Sequence, residues 1–392
     1  MMSVCVVVFW LGAVAMTLTD TSFLFTRSTA PAAPARIPAR LAIYYGYPSL
    51  VNGSNGDMEK AASFFSAYDV VVWGDGIEFP DREPGRFPPG DPEEHRKALR
   101  IIAAVRDRSP ETHFYGYVCL GEIPSSERER KSLTPKQIEE RIHLWKDMGV
   151  AGIFLDEAGY DFPVVTRERQ NLAVRIIHEL GLRAFMNAYF LDHLFSREDE
   201  VAQANGTGKN PKRLPSLLDE RDMFLLESFQ VNNGTYESVS AWRARLNQAL
   251  EFRRRYGTRI LATTTTTALK PFDTEKFNYA WWTALLFGLD GFGWGEPDFA
   301  ALSNELPDRR CSLESAVLGA IQNSHSVGSD AVGSNNTLFW RRAGNSFIVV
   351  DTRNHSVRRV PSTGRLKLTE VEALFNSPQA IPLMTCVEIH ER

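Results

Sequence analysis

From Leu41 to about residue 300 the chain alternates eight times between a short β-branched or aromatic run and a longer segment of helical spacing. The strand candidates are 41–45, 69–74, 113–118, 149–156, 182–187, 223–227, 259–264 and 290–294. Strict alternation of this kind demands a parallel sheet with right-handed crossovers. An open doubly wound sheet announces itself by a glycine-rich phosphate turn after the first strand, and YYGYPSLVNGSNG holds neither GxGxxG nor GxxxxGK. The expected fold is therefore α/β, a (β/α)8 TIM barrel over 41–325, a size typical of that fold at roughly 250 residues. Helix boundaries support it. Asp91-Pro92 and Thr134-Pro135 are N-terminal signals, and Gly149, Gly181, Gly257 and Gly288 stand where helices exit toward the next strand.

The two ends differ from this body. Residues 329–392 read as a small antiparallel β domain, with strand candidates 337–341, 346–351, 365–368 and 383–389 separated by turn-forming residues. Residues 4–18 form an apolar run in a 1–25 leader, read either as a signal peptide with Ala13-Val14-Ala15 as its small-residue site or as an uncleaved membrane anchor. Residues 26–40 are a Pro/Ala-rich linker. Both readings place the chain outside the cell, secreted or membrane-tethered, with contact to a membrane only through that anchor. N-x-S/T sites at Asn52, Asn205, Asn233, Asn335 and Asn354 are compatible with export. With Cys5 in the leader, Cys119, Cys311 and Cys386 cannot all pair; a Cys311–Cys386 bridge and two inert thiols are both open.

Composition narrows the partners. Hydrophobic residues at 43% and charged residues at 23% exclude a long disordered chain. Forty-four Lys+Arg against 48 Asp+Glu, a formal net charge of -4, argue against a nucleic-acid partner.

In a barrel the chemistry sits at the C-terminal ends of the strands. Period-two alternation in GIFLDEAGYDF points Asp156 inward with Phe154 and Gly152, and in MFLLESF it points Glu227 inward with Leu225. Glu157 either reaches the same cavity or turns away. Strand two ends in Asp75, with Trp73 placed on the same face; strand five ends in Asn187; strand eight offers Trp294 and Glu296. Single strand-end carboxylates are commonly salt-bridge partners or helix caps. Three on strands two, four and six, with no Arg or Lys at those ends, favour chemistry over structure. Two carboxylates beside aromatic faces suit glycoside hydrolysis, one acting as nucleophile or stabiliser and the other as acid/base. Tyr45, Tyr47, Tyr115 and Tyr117 join Trp73 and Trp294 as faces on which a sugar ring can stack. No HxH, HExxH or GxSxG motif occurs, so neither a metal nor a cofactor is expected.

The stretches LAIYYGYPS, GIFLDEAGYDF, MNAYF and FLLESF together resemble the spherulin-4-like and endo-α-1,4-polygalactosaminidase barrels, over roughly residues 41–300. The resemblance implies catalytic roles for Asp156, alone or as the Asp156–Glu157 pair, and for Glu227, and an exported enzyme cutting an α-linked, galactosamine-containing polysaccharide. The chain departs from that group in reading Asn187-Ala188-Tyr189 where the group carries Asn-Pro-Gly, and in adding the C-terminal β region. The expectation is thus an exported glycoside hydrolase with Asp156 as nucleophile or stabiliser and Glu227 as acid/base, Glu157 as the alternate. Asp75, Tyr45, Trp73, Tyr117, Asn187, Trp294 and Glu296 are expected to hold the sugar. The alternative is a non-catalytic carbohydrate-binding or cell-surface barrel.

Overall fold

The computed structural model describes residues 37–389, apart from 83–88, 125–129, 199–207, 271, 297–299, 302, 312–332, 336, 344–345, 362–367 and 384–385. The leader, most of the linker, Cys5 and Asn205 lie outside the described residues. Among the described residues no helix is long and apolar enough to cross a membrane.

Eight strands close into a parallel barrel: β1 Ala39–Tyr44, β2 Val70–Trp73, β3 His113–Cys119, β4 Gly152–Asp156, β5 Arg183–Asn187, β6 Met223–Leu226, β7 Arg259–Thr263 and β8 Gly291–Gly293. Each pairs with its sequence neighbours, and β1 closes the ring on β8 through Ala39 opposite Gly291. The outer layer comprises α1 Met58–Phe65, α2 Pro92–Arg108, α3 Pro135–Asp147, α4 Arg167–Glu179, the single turn α5 Asp192–Phe195, α6 Val239–Tyr256 and α7 Thr274–Phe287. The start signals act as their chemistry dictates. Asp91 accepts the N–H groups of Glu93 and Glu94, and Thr134 forms a reciprocal capping box with Gln137. Gly257 and Gly288 end α6 and α7 at φ of +77° and +66°, a conformation costly for any side chain.

The barrel is filled, not hollow. Tyr115 of β3 packs edge-on against Phe185 of β5, with Phe154 of β4 on the other side of Phe185. Tyr115 claims the space beside Gly152, where a Cβ would come within 2.4 Å of its ring and 2.3 Å of the Arg183 carbonyl. Of the Tyr faces expected to meet sugar, Tyr115 is thus a filler of the interior, 1% exposed.

Beyond the barrel stand β9 Asp308–Cys311, β10 Gly333–Asn335, β11 Leu338–Ala343, β12 Ser346–Asp351, β13 Ser356–Pro361, the helix α8 Leu368–Phe375, β14 Ile381–Pro382 and β15 Cys386–Ile389. Strands β10 to β14 form one antiparallel sheet in sequence order, and β9 pairs with β15, placing Cys311 opposite Cys386 in register. Two expectations are corrected here. The strand expected over 365–368 gives way to α8, which begins at Leu368, residues 365–367 lying outside the described ones. The strand SVRRVP, not expected, is β13: Val357 and Val360 are buried while Arg358 and Arg359 between them are half-buried.

Candidate active site

The C-terminal ends of β4, β5 and β6 meet in one polar cluster. Asn187, the last residue of β5, donates through Nδ2 to Asp156 Oδ1 at 2.9 Å and to Glu227 Oε2 at 3.1 Å. One nitrogen between two oxygens at those distances holds the oxygens at most about 6 Å apart. The amide orientation follows from its surroundings, since only the NH2 end can face two carboxylates. Its other end, Oδ1, is buried and has no hydrogen-bond partner among the described residues.

Asp156 is buried, 8% exposed, and Glu227 is partly exposed at the mouth. Burial pushes the Asp156 carboxyl above the usual carboxylate range; hydrogen bonds from Asn187, the Glu157 backbone N–H and the Tyr117 side chain pull it part of the way back, and the charge of Asp75 raises it. Both acids are followed by a left-handed residue, Glu157 at φ +49° and Ser228 at φ +56°. Such backbone is uncommon without glycine and turns the chain sharply off the strand end. Arg245 of α6 secures the second turn, donating to the carbonyls of Glu227 at 2.7 Å and Ser228 at 3.1 Å while paired with Glu237 at 2.7 Å.

Tyr117, whose side chain hydrogen-bonds Asp156, packs edge to face with Tyr45 at 5.4 Å and sits 6.2 Å from Phe154, which puts the tyrosine pair beside that carboxylate. Asp75 sits beyond the end of β2, its side chain 31% exposed. The expectation that no cation attends the strand-end acids is corrected: Arg141, reaching in from α3, lies 3.6 Å from Asp75 and 3.3 Å from the fully buried Glu78. Burial raises Asp75 against the opposing pull of Arg141. Burial likewise lifts Glu78 to about 7, Arg141 again opposing it.

Three placements differ from expectation, and of the two alternatives open for Glu157 it takes the one away from the cavity. Trp73 is fully buried against Phe65 of α1 at 5.3 Å and Phe114 at 4.5 Å, on the helix side of β2. Alternation ends with the strand at Trp73, so Asp75, two residues on and past the strand end, does not inherit its face. Trp294 packs against Phe272 at 5.2 Å and Phe277 of α7 at 5.9 Å, sharing the outward side with Phe292. Glu296 is taken by Arg309, whose guanidinium covers Phe272. Glu157 turns toward the loop after β3, where its carboxylate accepts the Glu122 N–H at 2.7 Å and lies 3.4 Å from Cys119 Sγ. Arg141, Glu78 and Arg245 escaped the sequence reading, since nothing local in a helix marks which arginine will reach a strand end.

A separate acid–histidine group lies at the opposite end of the barrel. His178, Asp219 and Asp222 have ligand atoms within 4.8 Å of one another. Asp222 is committed there to the N–H groups of Ala184 and Asp219 as well as to His178, which makes it a brace.

No family model matches the chain, and no curated protein matches it. Solved structures do. The glycoside hydrolase domain of PelA from Pseudomonas aeruginosa is 14% identical, with 66% of this chain and 94% of that one covered, at a TM-score of 0.37. Amy13B from Eubacterium rectale is 10% identical over 84% of this chain and 87% of that one, at 0.47. A 7,8-dihydropteroate synthase from Vibrio fischeri is 12% identical over 66% and 87%, at 0.34. At such identities and scores none of them carries chemistry to this chain.

Proposed function

We propose that the chain is a glycoside hydrolase in which Asp156 acts as nucleophile or stabiliser and Glu227 as general acid/base. The observation that carries this reading is the Asn187 amide bonded to both carboxylates at once. It keeps the two bonded oxygens within about 6 Å of each other, a bound that accommodates the about 5–5.5 Å of retaining glycosidases. Burial raises the Asp156 carboxyl, and the donors around it oppose that rise, favouring the anion that a group attacking or stabilising an oxocarbenium-like centre requires. Glu227, nearer solvent, is placed to give a proton to the leaving oxygen and later to take one from water. The buried, unpartnered Asn187 Oδ1 suits a hydroxyl or amine donor of the substrate, because leaving it unsatisfied costs about 1–3 kcal/mol. Asp75, Tyr45 and Tyr117 complete the sugar contacts. The resemblance in sequence supports an exported enzyme acting on α-1,4-linked galactosamine or N-acetylgalactosamine polymer.

The test is reducing-end release from that polymer by the full chain. Glu227→Gln is expected to lower turnover by about 10²-fold or more with the far-ultraviolet circular dichroism unchanged, and the wild type to release product of retained anomeric configuration by NMR. Wild-type turnover in Glu227→Gln would remove Glu227 from the mechanism.

A further inference from the structure

We propose that Tyr189 and Phe190 form an aromatic subsite on the rim of the mouth, stacking a pyranose ring of the same polymeric chain at some distance from the bond being cut. This rests on the hydrolase reading above and adds to it a reason for preferring polymer over a small glycoside.

Four observations converge. Among the described residues, the exposed large hydrophobic side chains include just two aromatics, Tyr189 at 36% and Phe190 at 52%, adjacent in sequence. They begin two residues after Asn187, so the strand that bridges the acids also delivers them. The Arg245 guanidinium that donates to the Glu227 carbonyl lies 5.0 Å from the centre of the Tyr189 ring, which puts that ring one guanidinium away from the Glu227 backbone. Finally, the exposed rings are held rigid. Phe190 packs on His193 at 5.0 Å, and His193 stacks on Tyr160 at 4.9 Å while its Nδ1 accepts the Tyr160 N–H at 3.0 Å. Beneath them Arg167, fully buried, donates to the carbonyls of His193, Leu194 and Ser196 and to the Tyr160 hydroxyl.

Keeping two large rings in water forgoes burial worth about 1.5–3 kcal/mol for a side chain such as Phe. Fixing them in place removes the ordering cost that a ligand would otherwise bear. Arg245 lies against Tyr189, and Tyr189 and Phe190 meet edge to face at 5.1 Å, so that the part of the two rings left in water forms one continuous aromatic surface. The C–H groups on one face of a pyranose fit such a ring, while its hydroxyls stay in water. A protein partner is the poorer match, since two side chains fall far short of the about 800 Å² per partner of a stable interface.

The experiment compares kcat/KM on a long and a short α-1,4-linked galactosamine/N-acetylgalactosamine oligosaccharide for wild type, Tyr189→Ala, Phe190→Ala, and the conservative Tyr189→Phe and Phe190→Trp. Each alanine variant is expected to lower the long-to-short ratio about tenfold, equal to about 1.4 kcal/mol, through KM for the long substrate, with the conservative variants restoring it. An unchanged ratio overturns the subsite and leaves the hydrolase reading standing. Native gels cast with the polymer separate the two ideas if the wild type turns over nothing. Retardation of wild type but not of the double alanine variant then supports the subsite while hydrolysis falls, and no retardation of wild type overturns both.

Discussion

Removing a hydrogen-bond donor from a buried carboxylate strengthens that carboxylate's hold on its proton, and Asn187 donates to Asp156 and Glu227 with the same nitrogen. Burial already raises Asp156, and the Asn187 bond opposes that rise. In Asn187→Ala the carboxyl therefore goes higher still. If Asp156 must be ionised to act, the fall of kcat/KM on the acid side begins at a higher pH in the variant than in the wild type. A pH–rate profile whose acid limb does not move would mean that Asp156 does not set it. At this scale the sequence located Asp156, Asn187 and Glu227 at the strand ends, since each closes an apolar run, Glu227 one residue past β6. It misled for Trp73 and Trp294. Their rings lie on the helix side, Trp73 because the parity it was assigned from Asp75 ran past the strand end, and Trp294 because it shares the outward phase of Phe292. It was silent on Arg141, because a guanidinium arriving from a helix depends on packing distances that no local pattern encodes.

The strands themselves owe their fit to volumes that alternate around the ring. Gly152 on β4 is small because Tyr115 on β3 is large, and a methyl there also meets the Arg183 carbonyl, a backbone atom that cannot swing away. Gly152→Ala is expected to destabilise the barrel by about 1–3 kcal/mol, read as a lowered urea midpoint. A midpoint equal to wild type would show that β4 and β5 can separate locally at no cost. All eight strands were legible from the chain, to within a few residues at the ends, since a parallel strand buried on both faces must be apolar and its helix must carry caps. The turns after β4 and β6 were not. Glutamate and serine announce no left-handed backbone, yet Glu157 and Ser228 adopt it, and with that twist Glu157 leaves the mouth. The tail was half legible: β11 and β12 follow the alternating code, whereas two arginines and a proline hid β13.

Across the whole molecule, the C-terminal sheet is built between two apolar surfaces. Leu338, Phe347, Val349 and Val360 pack with Val371 and Phe375 of α8 in a core of their own. Phe339, Ile348, Val350 and Val357, alternating with them, belong to the same continuous core as the barrel. Phe339 lies 5.7 Å from Trp242 of α6 and 5.6 Å from Phe287 of α7, and Arg341 donates to the Leu286 carbonyl at the end of α7. Tyr236, in a hairpin above β6, stacks on His355 at 3.7 Å. A sheet joined by a flexible tether would not share side chains with two barrel helices, so barrel and sheet should unfold together. Calorimetry of the wild type is expected to give a single endotherm. Phe339→Ala empties a contact made by both bodies and should lower the stability of that one transition by about 3–5 kcal/mol. Two separate endotherms, with the variant moving only the weaker one, would mean that the sheet is an appendage to the barrel.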